Sequence, residues 1–508
     1  MKARREYVFM AVRGLSDIMD FVRGFLLINI LGGAFGSEVF GTWGLIEQIY
    51  SVAVILSGLG LSQSVIRYLA GEHKVSYVRK ICLVSSGVIL IAGSLLTVLA
   101  ALLVPQIADK VIKNGGSEVF LRAALPLILI NIMELFMDGC FRARLRINQH
   151  SVIRMLFTAL TLGSYFYAAH RGYGLREMIF LTLAVKGAYV FVLYVALAFL
   201  EFFGRRVETE PVPEPDKDFA LPVESGTISA LKGMLAFGTP LMLLGLSNWL
   251  LGTCGKVILG IQSGGAGTVG RYDASLKIAM LIQYLGIPLA YTLLPLLADA
   301  VSKKGKEPVY EICRRFARLY FFLALPLLAG LLATHNDLMD LMTTGRGEFH
   351  SSIVFFLIPL LAALTSQTNA FYHDVIFLKG NSRFLFLANF VSALFCLLIN
   401  VFFTKSLGMW CTALASLLSY VLLLSLCAWR VKSYGFSPLK FLDLGFAGKC
   451  AAFSVVMFAA VMLGMRFITF GSLIKLPLLG LLGAAVYFAL AFGAKKFSLK
   501  ALIEELVG

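Results

Sequence analysis

Charged residues are scarce in this sequence. Only 15% of its 508 residues are Asp, Glu, Lys or Arg and 59% are hydrophobic, whereas about a quarter of the residues in a soluble domain are charged. The longest polar stretch, 201–232, is too short to form a soluble domain. This composition excludes a globular enzyme with one membrane anchor and predicts an integral membrane protein with many spans.

Enzyme motifs are also absent. The sequence has no GxSxG, Walker A or HExxH motif and no GxGxxG in a βαβ setting. Its eight cysteines show neither CxxC nor Cys/His spacing, so we interpret them as small buried side chains and not as metal ligands. We therefore expect a protein that is not an enzyme and that carries no cofactor.

Long apolar runs are abundant. A helix needs roughly 20 apolar residues to cross a bilayer, and the runs lack the period-two alternation of a membrane barrel. The sequence predicts an all-α integral membrane fold of about fourteen transmembrane helices. The predicted spans are 8–31, 39–66, 81–104, 119–141, 152–169, 177–200, 234–261, 269–298, 312–333, 350–378, 384–404, 408–429, 446–467 and 473–494.

Lysine and arginine predict the orientation. With the N-terminus in the cytoplasm, most basic residues fall in cytoplasmic loops, as the positive-inside rule requires, and they account for the net charge of +16. An even number of spans places both termini inside. Met1–Arg5 lead directly into a span without a small-residue cleavage site, so we expect no cleaved signal peptide. These features predict a multi-pass protein of the inner (cytoplasmic) membrane.

An acidic, proline-rich break divides the chain. Its composition favours an extended or disordered cytoplasmic linker over 201–232. The linker separates a predicted N-terminal six-helix lobe, 1–200, from a C-terminal six-helix lobe, 233–431. Residues 432–508 are predicted to form two extra helices and a cytoplasmic tail.

The two lobes resemble each other in sequence. When 40–49 are aligned with 269–278, the apolar-Gly-x-aromatic openings and the final isoleucines coincide, and Gly41 aligns with Gly270. Together with the position of the linker, this alignment favours an internal repeat. Transporters are commonly built from such repeats, with a substrate site near the midplane between them.

Charged residues inside the spans are candidates for function because charge in a bilayer is costly. Arg13, Asp17, Asp20 and Arg23 lie on one side of the first predicted helix. They either neutralise one another as structural pairs or form a polar stripe towards a water-filled cavity, where the arginines would bind a phosphate.

Carboxylates in other spans are candidates for ion coupling. Glu47 lies well inside the second span, where it either titrates with proton flow or pairs with a lysine such as Lys277. Glu134 and Asp138 share one face of the fourth span, and neighbouring carboxylates suit a proton or sodium site. Asp138 also has a helical partner in Arg142. The candidates for ion coupling are Asp17, Asp20, Glu47, Glu134 and Asp138.

The stretch Phe237 to Asp299 reads as two spans joined by a glycine turn, with an unusual concentration of basic residues. We predict that it contributes to a cationic substrate cavity together with the N-terminal half; Asp273 and Lys277 also fit a simple helical pair. We interpret Lys186, in the sixth span, as the partner of an acid. The predicted substrate-binding residues are Arg13, Arg23, Lys256, Arg271, Lys277, Trp249 and Tyr272.

Several motifs of the sequence resemble those of a known protein family. They are Phe40-Gly41-Thr42-Trp43-Gly44-Leu45, the run from Gly58 to Ala70, Phe237-Gly238-Thr239-Pro240, and Lys256-Val257-Ile258-Leu259-Gly260 followed by Val269-Gly270-Arg271-Tyr272. Together they resemble the polysaccharide transporter (Wzx-like oligosaccharide flippase) branch of the multidrug/oligosaccharidyl-lipid/polysaccharide exporter (MOP) superfamily. That family often has an Asp-Arg pair before Ile-Leu-Gly, whereas Gly255-Lys256 stand here. A coupling or gating role of the acid is therefore not carried over.

The resemblance implies an alternating-access flippase. It would move a polyprenyl-(pyro)phosphate-linked oligosaccharide from the inner to the outer leaflet for cell-surface polysaccharide biosynthesis, driven by a proton or sodium gradient or by the membrane potential. The expected partners are this lipid-linked oligosaccharide, membrane lipid and other polysaccharide-assembly proteins, but no nucleic acid. Two alternatives stay open: a drug/cation antiporter of the same fold, which requires an acidic cavity, and a non-transporting membrane subunit of a polysaccharide assembly machine.

Overall fold

Helices account for all the regular structure in the part of the chain that the structure describes. The computed structural model describes residues 15–16, 19–20, 22–69, 75–113, 116–144, 146–202, 227–302, 306–468 and 470–493, and these contain no strand. The predicted all-α class is therefore confirmed. Arg13, Asp17, linker residues 203–226 and the tail 494–508 lie outside the described residues, so the predictions made for them stay predictions.

Eighteen α-helices follow one another along the described chain, with short π-helical segments at Ile28–Gly33 and Ala108–Ile112 and a 3-10 turn at Gly347–Phe349. The α-helices are α1 Ala34–Gly58, α2 Leu61–Leu69, α3 Val75–Ile107, α4 Ser117–Ala124, α5 Pro126–Ala143, α6 Ile147–His170, α7 Leu175–Phe202, α8 Thr227–Gln262, α9 Gly265–Ser302, α10 Glu307–Ala333, α11 His335–Met342, α12 Ile353–Thr368, α13 Ala370–Leu378, α14 Ser382–Leu407, α15 Met409–Ser433, α16 Leu439–Leu442, α17 Leu444–Phe467 and α18 Ser472–Gly493.

Thirteen of the described helical stretches are long and apolar enough to cross a membrane. All but the first correspond one-to-one to the predicted spans from 81–104 onwards. The first, Val22–Gly58, has 37 residues and would measure about 55 Å as a continuous helix, nearly twice the roughly 30 Å of a bilayer core. It is broken at Gly36, where φ is 88°, within the loop that the sequence predicts between spans one and two. The kink therefore separates the described parts of the two predicted spans, and the second, 39–66, runs past the end of α1 at Gly58 into α2.

Packing divides the described residues into two compact units. The first unit takes its residues from Met1–Ile30 and Thr42–Trp249, and the second from Leu31–Gly41 and Leu250–Gly508. The division falls within α1 and α8, so each of these helices contributes residues to both units. The lobe boundaries drawn at the linker stay a prediction.

In the first unit, α2 and α5 both contribute to the apolar core. Val65 of α2 and Phe136 and Cys140 of α5 are fully buried in one cluster. The motif glycines allow a close backbone approach: a Cβ on Gly60, where φ is 68°, would lie 2.0 Å from the carbonyl oxygen of Gly238. Two stretches singled out in the sequence thus meet at a crossing that only glycine permits.

In the second unit, Gly41 and Gly270 form a reciprocal crossing. A Cβ on Gly41 would lie 1.8 Å from the Ala266 carbonyl oxygen and 2.7 Å from the Gly270 nitrogen. A Cβ on Gly270 would lie 2.1 Å from the Ser37 carbonyl oxygen and 3.0 Å from the Gly41 nitrogen. Each glycine therefore contacts the residue that lies four positions before the other glycine: Gly41 contacts Ala266, and Gly270 contacts Ser37. Two equivalent segments related by a twofold axis produce contacts of this kind, and the sequence alignment pairs these same two glycines.

We expect Gly41→Ala and Gly270→Ala each to lower the free energy of unfolding by about 1–3 kcal/mol, because the added methyl overpacks a backbone contact. Thermal unfolding of the purified protein in detergent measures the effect. Gly448→Ala in α17 is the matched control: its Cβ meets nothing within 4 Å, and alanine favours the helix by up to about 1 kcal/mol. Equal melting temperatures for all three variants would contradict the crossing.

Candidate functional site

A buried carboxylate bound by two lysines lies in the second unit. Lys256 of α8 donates to Asp273 Oδ1 of α9, and Lys277 Nζ lies 3.2 Å from the other carboxylate oxygen. Asp273 is 1% exposed and Lys256 7%. One carboxylate balances one ammonium, so this lysine pair, Lys256 and Lys277 around Asp273, retains one excess positive charge within the spans.

The hairpin turn brings these groups together. Gly264 and Gly265 adopt φ values of 73° and 67°, which glycine reaches without strain, and α9 returns alongside α8. Lys256 therefore lies beside Asp273, and Lys277 follows one helical turn later on the same face. The glycine turn was predicted from the sequence, as was the Asp273–Lys277 pair. The contact with Lys256 depends on the register of the hairpin, which spacing alone does not give.

Lys277 is the accessible member of the lysine pair. Its side chain is 20% exposed, against 9% for that of Lys256. Its Nζ also lies 4.6 Å from the ring centroid of Phe40, within the range of a cation–π interaction. Phe40 is fully buried, and its ring meets that of Phe349 edge-on at 6.3 Å between centroids. The sequence did not identify Phe40 as part of a site.

The other predicted substrate residues of the hairpin are dispersed. Arg271 is exposed and its Nη2 donates to Thr268 Oγ1 at 3.3 Å. Tyr272 is 2% exposed and packed in the interior. Trp249 belongs to the first unit, where its Nε1 donates to Ser51 Oγ at 2.8 Å. Of the predicted basic residues of the hairpin, Lys277 is partly exposed and Arg271 is exposed, and both lie on α9.

In the first unit, Asp20 is held by basic and hydroxyl groups. It pairs with Arg154 of α6, accepts a hydrogen bond from Thr158 Oγ1 at 3.0 Å, and lies 3.9 Å from Arg23 Nη2. Arg23, predicted to bind substrate, thus lies beside an acid. The sequence did not predict the pair of Arg154 with Asp20, because nothing in the spacing links the two helices.

The carboxylates of α5 also have internal cationic partners. Lys186 Nζ of α7 lies 3.1 Å from Glu134 and 2.6 Å from Asn131 Oδ1, which agrees with the interpretation of Lys186 as the partner of an acid. Asp138 pairs with Arg142 at 2.6 Å, and its Oδ1 lies 3.4 Å from His150 Nδ1.

Three of the candidate ion-coupling carboxylates, Asp20, Glu134 and Asp138, therefore each lie beside a basic side chain, and their role in ion coupling stays a prediction. The fourth described candidate, Glu47, is exposed on α1. Among the described residues, no group of three or more His, Cys, Asp or Glu side chains is arranged to hold a metal ion.

Gly255 stands where the resembled family often has an acid, and its surroundings explain the glycine. A Cβ at this position would lie 2.5 Å from Thr412 Cγ2 and 3.1 Å from Asn400 Oδ1. Both neighbours are buried. A carboxylate at 255 therefore does not fit unless Thr412 moves.

An apolar groove of about 390 Å³ lies elsewhere in the second unit, between α10, α17 and α18. Glycines of α10 and α18 widen it, and a Cβ on Gly480 would meet nothing within 4 Å. Its lining includes Phe322, Gly330, Met457, Val461, Gly480 and Tyr487.

We expect Asp273→Asn to destabilise the protein by about 3 kcal/mol or more, because it leaves the buried Lys256 without a counter-charge. Lys277→Gln is the control, since it preserves the Lys256–Asp273 pair and removes only the more exposed partner. Thermal unfolding in detergent compares the two variants. A loss for Asp273→Asn no larger than that for Lys277→Gln would show that Asp273 does not anchor the group.

Comparison with solved structures identifies the fold. The lipid II flippase MurJ in an inward closed conformation matches with a TM-score of 0.69 and 13% identity, over 94% of this chain and 97% of that chain. An inward-facing multidrug resistance MATE family transporter of the MOP superfamily matches at 0.60 and 13%, over 84% and 98%. A MOP superfamily transporter from Pyrococcus furiosus, described as having a binding pocket of reverse polarity, matches at 0.56 and 15%, over 84% and 96%.

Comparison of sequences identifies the family. No curated protein matches, but the family model described as polysaccharide biosynthesis protein matches residues 6–301. This range covers more than half of the chain and includes the hairpin with Lys256, Asp273 and Lys277. The chain is thus a multi-pass membrane protein with the fold of the MOP superfamily, and it belongs to the polysaccharide biosynthesis protein family.

Proposed function

We propose that the protein is an alternating-access flippase that moves a polyprenyl-(pyro)phosphate-linked oligosaccharide from the inner to the outer leaflet of the inner membrane, with both termini in the cytoplasm. The family and the fold support a membrane transporter. The observation that carries the choice of substrate is the excess positive charge of the lysine pair around Asp273.

An uncompensated cation inside a bilayer is costly and calls for an anionic partner. The pyrophosphate of a lipid carrier supplies one. Lys277 is partly exposed beside the buried pair, and Arg271 is exposed further along the same helix. Lysine binds a phosphate as a compact point charge and arginine as a planar fork, so the two residues suit the headgroup and its bridging phosphates.

The drug/cation antiporter is the second candidate, and the charges argue against it. An organic cation requires unpaired carboxylates, and of the four described candidate carboxylates Glu47 alone is exposed. In the second unit Asp273 is outnumbered by lysines, and in the first unit Asp20 and Glu134 are paired with Arg154 and Lys186. The third candidate, a non-transporting membrane subunit, predicts no movement of any substrate.

The apolar groove between α10, α17 and α18 is our candidate position for part of the polyprenyl chain. Its lining is almost wholly apolar, and it lies in the same unit as the lysine pair. A carrier of this type has a charged head and an apolar tail, and one unit offers surfaces of both kinds.

The membrane potential suits the proposed direction of transport. With the cytoplasm negative, each negative charge that leaves gains about 2.3 kcal/mol per 100 mV. A pyrophosphate headgroup would therefore be driven outwards. A coupling proton or sodium ion bound at Asp20 or Glu134 would first have to displace the guanidinium of Arg154 or the ammonium of Lys186. We accordingly propose the potential as the main driving force.

We expect Lys277→Gln and Arg271→Gln each to slow translocation about tenfold, since losing a charge-assisted contact of about 1.5 kcal/mol has that effect. The rate is measured in proteoliposomes that contain a fluorescent polyprenyl-pyrophosphate-linked oligosaccharide. The fraction of this probe that an impermeant quencher reaches is followed over time. Lys449→Gln, an exposed lysine of α17, removes the same charge elsewhere and should change the rate less than twofold.

Three outcomes of this assay would contradict the proposed function or the residues assigned to it. Wild-type rates in stable Lys277→Gln and Arg271→Gln variants would remove these residues from the site. Transport of an organic cation but not of the oligosaccharide by the wild type would establish the antiporter. No transport of either compound would favour the non-transporting subunit.

We expect Gly480→Leu to place its side chain in the groove that Gly480 lines, because the Cβ at this position has no neighbour within 4 Å. If the groove holds the carrier chain, this variant slows translocation of a long polyprenyl carrier more than that of a short one. Gly448→Leu in α17, whose Cβ is equally free but which does not line the groove, is the control. An equal effect of the two variants on both chain lengths would exclude the groove.

A further inference from the structure

The segment Leu31–Gly41, here called the strap, packs as part of the second unit, while the remainder of α1 belongs to the first. It contains the kink at Gly36, where φ is 88°. A break in a helix leaves backbone carbonyls unpaired on one side and N–H groups unpaired on the other. The side chains that hydrogen-bond to these carbonyls and N–H groups therefore determine how stably the strap packs on the second unit.

An arginine covers the carbonyl side of the break. Arg346 Nε donates to the Gly33 carbonyl oxygen at 2.8 Å, and its Nη2 donates to that of Ala34 at 3.1 Å. Thr344 Oγ1 adds a hydrogen bond to Gly33 at 3.2 Å. A cation at the carbonyl end of a helix is favourable because that end carries partial negative charge.

A glutamate covers the N–H side. The Ser37 backbone N–H donates to Glu348 Oε1 at 2.9 Å, and Ser37 Oγ donates to Oε2 at 2.9 Å. A carboxylate at this end complements the partial positive charge of a helix start. Arg346 and Glu348, only two residues apart, thus hold the kink from both sides with charges of opposite sign.

The strap has a third attachment, through its aromatic residue. Phe40 lies against the Phe349 ring and beneath the Lys277 ammonium, whose Nζ is 4.6 Å from the ring centroid. The same ammonium lies 3.2 Å from Asp273. Lys277 therefore contacts both Phe40 of the strap and Asp273 of the lysine pair.

We propose that Phe40 and Lys277 couple anion binding at the lysine pair to release of the strap, with Arg346 and Glu348 as the latch that must then open. This inference rests on the proposed function and deepens it. A phosphate bound to Lys277 draws the ammonium away from the Phe40 ring, so the strap loses one attachment. Full release then requires that the hydrogen bonds of Arg346 and Glu348 also break. In the proposed orientation the strap lies at the outer end of its span, so that its release serves the exit of the headgroup.

Hydrogen exchange of the strap amides, followed by mass spectrometry on the full-length protein in detergent, tests the coupling. The probe is inorganic pyrophosphate. In the wild type we expect pyrophosphate to speed exchange of a peptide covering 31–41 about three- to tenfold, which corresponds to the loss of one cation–π contact. It should slow exchange of a peptide covering 268–280, where it binds.

Matched variants distinguish the contributions of Phe40, Lys277 and the latch. Phe40→Leu keeps the bulk but removes the ring, so exchange of the strap should be fast with and without pyrophosphate. Lys277→Gln should abolish the response, and Lys277→Arg, which keeps a cation over the ring, should preserve it. Glu348→Gln weakens the latch itself and should speed exchange around Ser37 in either condition. Unchanged exchange in α14 shows that each variant is folded.

The failure of the coupling and that of the proposed function give different results. If pyrophosphate protects 268–280 in the wild type but leaves the strap unchanged, the coupling is wrong and the anion site stands. If it changes neither peptide, the anion site is wrong and the coupling fails with it. A full response in Lys277→Gln would also overturn the coupling.

Discussion

The free-energy cost of placing charge inside a bilayer shapes the interior of this protein. In the first unit, Asp20 and Glu134 lie beside Arg154 and Lys186, and a hydroxyl and an amide complete their surroundings. In the second unit, Asp273 balances only one of two lysines. Asp20 also has a second basic neighbour in Arg23, so each unit holds an acid beside two basic side chains. The group in the second unit differs in its depth, because Asp273 is 1% exposed, and in the contact of Lys277 with the Phe40 ring. These two features point to α8 and α9 as the functional hairpin.

Close backbone contacts fix the positions of the chain segments around those charges. At Gly60 with Gly238 and at Gly41 with Gly270, two chain segments meet where no Cβ is accommodated. The second crossing is adjacent to Phe40, whose ring lies under Lys277. Backbone contact therefore positions an aromatic ring, and the ring in turn lies against a cation of the candidate site. The charges, the crossing and the kinked strap form one continuous set of contacts within the second unit.

The sequence was sufficient for those features that depend on local pattern. Long apolar runs predicted the helices, glycines predicted the turn at 262–268, and the motifs around Gly41 and Gly270 predicted two related segments. It was insufficient where distant residues meet. Arg154 beside Asp20 and Lys256 beside Asp273 depend on how separate helices pack, and the bonds of Glu348 to Ser37 join residues 311 positions apart. Helix periodicity places a residue on a face, but it does not state which helix that face meets.

The environment of Gly255 has a consequence for substitutions at this position. Because a Cβ there would overlap Thr412 and crowd Asn400, the effect of introducing an acid depends on which residue occupies position 412. The two positions are therefore coupled: a smaller residue at 412 makes room for a carboxylate at 255, and a residue as large as threonine opposes it.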